Sequence, residues 1–306
     1  MRRRSIVVAV DGRELELTNL EKVLYPRAGF TKAEVIDYYR RVAAVMLPHL
    51  RGRPVTLKRW PDGVEAPAFF EKQCPRHRPP WVRVAPVASS GKRPVVEYCR
   101  IDDLPALVWV ANLAALELHV TLGTADAPDT PRAAVFDLDP GPPAGLRECA
   151  VTALRIRSAL ERRGLQAFAK ASGKSGLHVY VPINAPATFE ETRALARGVA
   201  RELEAETPQA VTTVMRKELR EGKVFVDWSQ NHARKTTIAV YSLRGTAEPR
   251  ASTPLRWDEV EELAASGPER WIERLRAERV LERVEREGDI FAPVLELRQP
   301  LASPQQ

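Results

Sequence analysis

The sequence predicts a mixed α+β fold, built as one compact unit of two lobes. Three observations predict it. Short apolar strands and amphipathic helices alternate without the regular βαβ beat of a doubly wound sheet. Two capping boxes, Thr31-Lys32-Ala33-Glu34 and Thr188-Phe189-Glu190-Glu191, each open a helix. No internal repeat and no clear linker divides the chain, so the lobes, about 1–130 and about 131–300, are expected to share one unit, with a flexible tail at 301–306.

In chain order, Ile6 to Val10 and Glu14 to Leu17 flank Asp11-Gly12 and read as a hairpin. The first capping box opens a helix with Val35, Tyr38, Tyr39, Val42 and Met46 on its apolar side, expected to stop before Pro48. Val55 to Lys58 is a strand. Pro61 to Pro94 is rich in Pro, Arg and Lys and reads as irregular in part. Val95 to Tyr98 is a strand, Asp102-Asp103 caps a buried helix over Leu104 to Leu116, and Leu118 to Leu122 is a further strand. A second unit opens with the strand Ala133 to Asp139, stopped by Pro140. Leu146 to Arg163 is a helix closed by Gly164. Gln166 to Lys170 and His178 to Ile183 are strands joined by the loop Ala171 to Gly176. A helix runs from the second capping box to about Thr207, and strands follow at Val224 to Trp228 and Thr236 to Tyr241. From Arg256 the chain reads as charged helix, with a tail at Pro300 to Gln306.

Composition narrows the function classes. The 306 residues are 44% hydrophobic, which excludes a disordered chain. Lys and Arg number 47 against 40 Asp and Glu, a net +7 compatible with a polyanionic partner. Three cysteines, Cys74, Cys99 and Cys149, are an odd count and make no disulfide framework, which points to a reducing compartment. Met1 to Arg4 is followed by an apolar run too short for a signal peptide, and the longest uncharged stretch, Leu104 to Leu116, is too short to span a bilayer. The chain is read as soluble and cytoplasmic.

Four features carry chemistry. In Asp137-Leu138-Asp139 two carboxylates two residues apart on a strand share a face, which is costly unless a hard cation such as Mg²⁺ or Mn²⁺ sits between them. In Val224-Phe225-Val226-Asp227-Trp228 a single Asp interrupts an apolar strand. If that strand neighbours the first, three carboxylates converge on a two-metal site of the kind used for nucleotidyl transfer. The loop Ser172-Gly173-Lys174-Ser175-Gly176-Leu177-His178 suits an approach to phosphates through backbone amides. It is not a P-loop, because Phe168 stands where the first glycine belongs and a strand follows it. Finally, Lys22, Lys32, Lys58-Arg59-Trp60 and Phe69-Phe70 combine phosphate-binding cations with stacking aromatics, and Lys217, Arg220, Lys235 and Arg244 lie near the third carboxylate in sequence. Cys74-Pro75-Arg76-His77 has metal-like spacing but no second half of ligands.

Together, Thr18 to Pro26, Phe69-Phe70-Glu71-Lys72, Asp137-Leu138-Asp139-Pro140-Gly141, the 172–178 loop, Val226 to Asn231 and Ser252-Thr253-Pro254-Leu255-Arg256-Trp257 appear in an order that resembles the polymerase domain of the bacterial ATP-dependent DNA ligase D, within the archaeo-eukaryotic primase superfamily. The resemblance runs from about residue 6 to about 300. It implies a primase-type core with a central mixed or antiparallel sheet flanked by helices, acting in non-homologous end joining. It implies two Mn²⁺ or Mg²⁺ ions held by Asp137, Asp139 and Asp227, and NTP or dNTP substrates, ribonucleotides preferred. Ser172 and His178 would contact the triphosphate, and Lys58, Gln230, Lys235 and Arg244 would line the nucleotide pocket or acceptor strand. Asn19, Lys22 and Lys32 would hold the 5′-phosphate of a DNA end with a template overhang. Phe69 and Phe70 would stack on the template, and His119 matches a family histidine near the active site. Implied partners are a DNA ligase, the end-binding Ku protein and a second copy across two ends, with association at the nucleoid and no membrane. One departure stands out: the family's basic residue before the second loop glycine is replaced by Ser175, and Lys174 lies one position earlier. No Lys-x-Asp-Gly adenylation motif is found, so no ligase activity is expected of this chain. Two other readings remain open on the residues alone: a non-catalytic end-bridging module, and a metal-dependent glycosyltransferase using only the Asp-x-Asp pair.

Overall fold

The computed structural model describes residues 5–89 and 94–301. The expectations for residues 1–4, for 90–93 within the Pro-rich stretch and for the tail from 302 lie outside those residues. β1 (Ser5–Val10) and β2 (Arg13–Thr18) form the expected hairpin. Asp11 and Gly12 both take positive φ, as a two-residue turn between right-twisted strands requires. β3 (Val23–Tyr25) and β4 (Phe30–Thr31) make a second small ribbon that leads into α1 (Lys32–Leu50). Thr31 caps α1: Glu34 N–H donates to its hydroxyl at 3.3 Å and its own N–H donates to Glu34 Oε2 at 2.7 Å. The helix does not stop before Pro48 but runs to Leu50. Pro48 sits in the last turn, where its missing N–H leaves one helical bond unmade and few turns to disrupt.

β5 (Val55–Arg59), β6 (Phe69–Glu71), β7 (Val84–Ala88) and β8 (Val95–Cys99) follow. α2 (Leu104–Asn112) is capped by Asp103, whose carboxylate accepts from Ala106 N–H, but it does not reach Leu116. Ala114 takes φ 56, and the chain turns back as β9 (Ala115–Thr121). An apolar run buried on all sides carries no periodicity to separate helix from strand, so the boundary was invisible in the sequence. β10 (Ala133–Pro140), α3 (Leu146–Glu161), β11 (Phe168–Ala171), β12 (Leu177–Pro182), α4 (Phe189–Glu206), β13 (Val211–Thr212), β14 (Val224–Asp227) and β15 (Thr236–Ile238) come next. The short β16 (Leu243–Arg244), β17 (Arg250–Ala251) and β18 (Thr253–Leu255) precede four helices: α5 (Trp257–Ser266), α6 (Glu269–Arg274), α7 (Ala277–Glu287) and α8 (Pro293–Glu296).

The mixed α+β class is observed, with twelve of the described strands shared between two six-stranded sheets and the other six in two-stranded ribbons. One has the order β15-β9-β5-β8-β7 with β6 also on β5; the other is β13-β14-β10-β12-β11-β18, antiparallel except for β13 on β14. α3, α4 and α5 cover the second sheet with Ile156, Leu160, Val199, Leu203, Val260 and Leu263. α1 and α2 bury Tyr38, Tyr39, Met46, Leu107 and Val110 in the first core, joined there by Tyr241, Leu243, Ala251 and Val280 from late in the chain. That return carries β15 onto β9 and brings residues 243–245 over the first sheet beside the 171–176 loop.

One cysteine expectation is overturned: Cys74 and Cys99 form a disulfide, and Cys149 stays free and buried. The segment after β6 lies along β8, where Cys74 N–H donates to Glu97 O at 2.6 Å, so residues 25 apart in sequence become neighbours. Among the described residues no helix is long and apolar enough to cross a membrane.

Candidate active site

The site begins with strand register. β10 and β14 are antiparallel with Asp137 opposite Asp227, and directly opposed residues share a face. Asp139 lies two residues beyond Asp137 and so projects to the same side. The lone Asp of the apolar strand is therefore brought to the Asp-x-Asp pair. β12 flanks β10 on the other side and places His178 opposite Asp137, with His178 Nε2 3.2 Å from Asp137 Oδ1. After Asp227 the chain makes a tight turn over Trp228–Gln230. Ser229 N–H donates to Asp227 Oδ1 at 2.9 Å, and Gln230 Nε2 reaches both Asp137 Oδ2, at 3.3 Å, and Asp227 Oδ2, at 3.4 Å. Lys235 Nζ lies 2.5 Å from Ser229 Oγ and 3.9 Å from Asp227 Oδ2. Asn231, fully buried, pins the turn: its Oδ1 accepts from Val135 N–H at 2.8 Å and its amide donates to Val135 O at 2.8 Å.

Two glycines allow this packing. A Cβ on Gly176 would stand 2.2 Å from Leu138 O, and one on Gly141 would stand 2.0 Å from Arg220 O. The first holds the 172–176 loop against β10; the second holds the 217–220 segment beside Asp139.

Charge in the site is unevenly met. Burial and the neighbouring carboxylates of Asp137 and Asp227 push Asp139 up to about 6, against partial relief from Arg220 and Lys217. Burial would also raise Asp137, but His178, Lys170 and Arg244 outweigh it and hold Asp137 below the usual carboxylate range. Burial and nearby Lys170 push the His178 imidazole down. Its Nδ1 is buried with no hydrogen-bond partner. Among the described residues no three His, Cys, Asp or Glu side chains are already grouped as metal ligands. The donor set nonetheless fits a hard divalent cation: three carboxylates on one face, one of them destabilised as an anion by the other two.

A basic pocket adjoins the carboxylates. Ser172 Oγ accepts from Lys174 N–H and Gly176 N–H, both at 3.3 Å, and shapes the loop. Gly173 has φ +82, and a Cβ there would meet Arg244 Cγ at 2.6 Å, so Arg244 lies across the loop. On the facing sheet, Lys58 stands opposite both Glu117 and Phe70, and Thr56 stands opposite His119. Lys58 Nζ lies 4.8 Å from the Trp60 ring centroid and 5.0 Å from that of Phe70, while Phe70 meets His119 edge to face at 5.6 Å. Phe69 and Phe70 are both exposed, Phe69 beneath Arg59 on the other face of β6.

The remaining predicted residues fall into two groups. Asn19, Lys22 and Lys32 form their own cluster at the start of α1, where Lys22 N–H donates to Asn19 O and Lys32 N–H to Lys22 O. Lys22 Nζ is 2.7 Å from Asp62 Oδ1; Lys32 is buried, its Nζ donating to Thr18 O. Lys217 is exposed, and Arg220 lies over the Phe225 ring at 3.7 Å and donates to Met215 O, so both edge the Asp139 end of the site.

Sequence reasoning missed two residues of this arrangement, Glu117 and Lys170, and named Trp60 as a stacking aromatic without its packing partner. Glu117 is 1% exposed and gathers the basic residues of the pocket. Lys170, equally buried, donates to Ile238 O at 3.0 Å and Ser252 Oγ at 2.7 Å behind His178. Trp60 packs against Gly245, where a Cβ would meet its ring at 2.0 Å. The signal that singled out Asp227, an acid within an apolar strand, was present in Leu116-Glu117-Leu118 as well. It was lost because Leu116 was assigned to the preceding helix.

Comparison with known proteins agrees with this fold. Residues 31–291 match the family described as LigD, primase-polymerase domain. The chain is 44% identical over 282 residues to the multifunctional non-homologous end joining protein LigD of Mycolicibacterium smegmatis, covering 92% of this chain and 36% of that protein. It is 31% identical over 249 residues to the bifunctional non-homologous end joining protein LigD of Bacillus subtilis, covering 81% and 40%. The chain thus spans well under half the length of these curated relatives. A solved structure of the polymerase domain from Mycobacterium tuberculosis ligase D in complex with DNA superposes with a TM-score of 0.85 at 42% identity, covering 93% of this chain and 99% of that one. By sequence and by fold, this chain belongs to the LigD primase-polymerase domain family.

Proposed function

We propose that the chain is a template-directed, divalent-metal-dependent polymerase of primase type that fills gaps at DNA ends in non-homologous end joining, with ribonucleotides preferred. The observation that carries the reading is the Asp137–Asp227 register with Asp139 beside it, opening onto a basic pocket. Membership in the family implies nucleotide substrates and divalent metal. Asp137, Asp139 and Asp227 would hold two ions, Mn²⁺ or Mg²⁺. When bound, they supply positive charge that activates the primer 3′-hydroxyl and stabilises the leaving pyrophosphate.

The chain's own groups do the rest. Ser172 fixes the loop that approaches the triphosphate, and His178, held against Asp137 through Nε2, meets the same phosphates. Lys58, Lys174 and Arg244 meet phosphate charge, and Gln230 with Lys235 lines the acceptor side. Phe70, exposed and backed by Lys58 and His119, offers a stacking face to the template, with Phe69 beside it. Lys22 exchanges Asp62 for the 5′-phosphate of the downstream strand, with Asn19 beside it and Lys32 bracing the turn from within. Lys217 and Arg220 adjoin the strand that enters past Asp139. A DNA ligase, Ku and a second copy across two ends are the partners this role calls for.

Asp227→Ala tests the reading. Extension of a gapped template should vanish while affinity for the same DNA is kept. Normal residual synthesis would remove Asp227 from the site. A wild-type protein that binds DNA and extends nothing would support an end-bridging module instead.

A further inference from the structure

Resting on the polymerase reading, we propose that Glu117 is the positioning residue of the nucleotide pocket: one buried carboxylate that holds Lys58, Lys174 and Arg244 together as a single triphosphate-binding surface. The three cations arrive from separate segments, β5, the 172–176 loop and β16. Lys174 Nζ lies 3.3 Å from Oε1; Arg244 Nη1 lies 3.5 Å and Lys58 Nζ 4.0 Å from Oε2. His119 Nε2 is 2.9 Å from Oε2, and Gly245 N–H donates to Oε1 at 3.1 Å. Both oxygens are thus occupied from several sides.

Like charges do not converge unaided. Three cations around one point repel unless an anion sits among them. Glu117 is nearly inaccessible, whereas the side chains of Lys58, Arg244 and Lys174 keep 21%, 11% and 36% exposure. Their spare N–H groups therefore remain open to a ligand, while the carboxylate stays behind them. Burial alone would raise Glu117, but the His119 contact and the Arg244 and Lys174 charges outweigh it and hold the carboxyl well below its ordinary range. A buried ion cluster of this kind adds little net stability over apolar packing. Its value lies in what it arranges. The cluster also accounts for the displaced loop lysine, since Lys174 reaches back to Glu117 from one position earlier in the loop.

The test is Glu117→Gln, which keeps the shape and an oxygen for Gly245 N–H but removes the charge. Nucleotide KM in gap extension should rise about tenfold or more, the loss expected for weakened hydrogen bonds to charged groups, while kcat changes by less than about threefold. Affinity for a fluorescent nucleoside triphosphate without DNA should fall by a similar factor, and DNA affinity should not move. A merely structural role would instead lower melting temperature, kcat and DNA affinity together, and that outcome overturns the proposal. So does an unchanged KM with unchanged triphosphate binding. Should the Gln variant not fold, Glu117→Asp keeps the charge and shortens the reach: weaker triphosphate binding with intact DNA binding supports the proposal, and unchanged triphosphate binding overturns it. Absence of extension by the wild-type protein refutes the polymerase reading itself, and triphosphate binding by the variants then decides the role of Glu117 separately.

Discussion

Asn231→Ala should unfold the site from behind. The Asn231 side chain replaces a strand residue. β14 turns away after Asp227, and the amide continues the ladder on β10 by pairing with both the N–H and the carbonyl of Val135, each at 2.8 Å. It also donates to Trp228 O at 2.9 Å, closing the turn that carries Ser229 and Gln230. Alanine would leave the Val135 N–H and carbonyl buried and unpaired. Each such group costs about 1–3 kcal/mol, so the substitution should cost about 3–5 kcal/mol. Set against a typical stability of about 5–15 kcal/mol, that is a large fraction. Urea unfolding followed by circular dichroism measures it, through a lower midpoint at unchanged slope. Where the variant is still folded, gap extension should fall at least about tenfold, because Asp227 and Gln230 lose their anchor. Asn231→Asp should be worse than alanine, since it keeps the acceptor, loses both donors and buries a charge. A loss below about 1 kcal/mol, the value of one ordinary hydrogen bond, would refute the ladder argument. So would full activity in a strongly destabilised variant.

Gly176→Ala forces a Cβ to within 2.2 Å of Leu138 O, so the loop must move away from β10; nucleotide KM should rise, with about 1–3 kcal/mol of stability lost, and an unchanged KM would detach the loop from nucleotide binding. Lys22→Ala should weaken the preference for 5′-phosphorylated gaps; equal losses on phosphorylated and unphosphorylated ends would make Lys22 a general backbone contact. Asp289 is buried enough to be pushed up, but His49 and the Tyr241 hydroxyl, at 2.8 and 2.7 Å, hold it below its ordinary value. A depressed folded-state pKa gives stability that is present above the unfolded value near pH 3.8 and lost as pH falls through the folded one. Asp289→Asn should therefore lower the melting temperature at neutral pH and narrow its gap to wild type below about pH 4, whereas a gap independent of pH would contradict the assignment.

Much of this could be read from residues because local signals agreed with the fold. Asp11-Gly12 between alternating runs, the Thr31 and Thr188 capping boxes and Asp103 before α2 each act within a few residues. Asp227 stood out as an acid in an apolar strand, and its pairing with Asp137 followed once the strands were assumed to be neighbours. What escaped depends on tertiary contact. β13, β16 and β17 are two-residue strands defined only by their partners. The disulfide joins segments brought together by the path along β8. Arg244 was visible as a cation, but its place against Gly173 and Glu117 comes from the late return of the chain to the first core. Lys32 was read as a phosphate-binding cation at the start of α1, yet burial against Thr18 gives it a bracing position that spacing cannot show.

The central claim is that the three carboxylates and the basic pocket perform templated synthesis at a DNA end. Extension of a short gap bearing a 5′-phosphate tests it most directly, with ribo- and deoxyribonucleotides, Mn²⁺ and Mg²⁺ compared, beside Asp137→Ala. The account predicts template-dependent addition by the wild-type protein, stronger with ribonucleotides, and none by the variant. Addition that ignores the template, or that survives loss of Asp137, would contradict it.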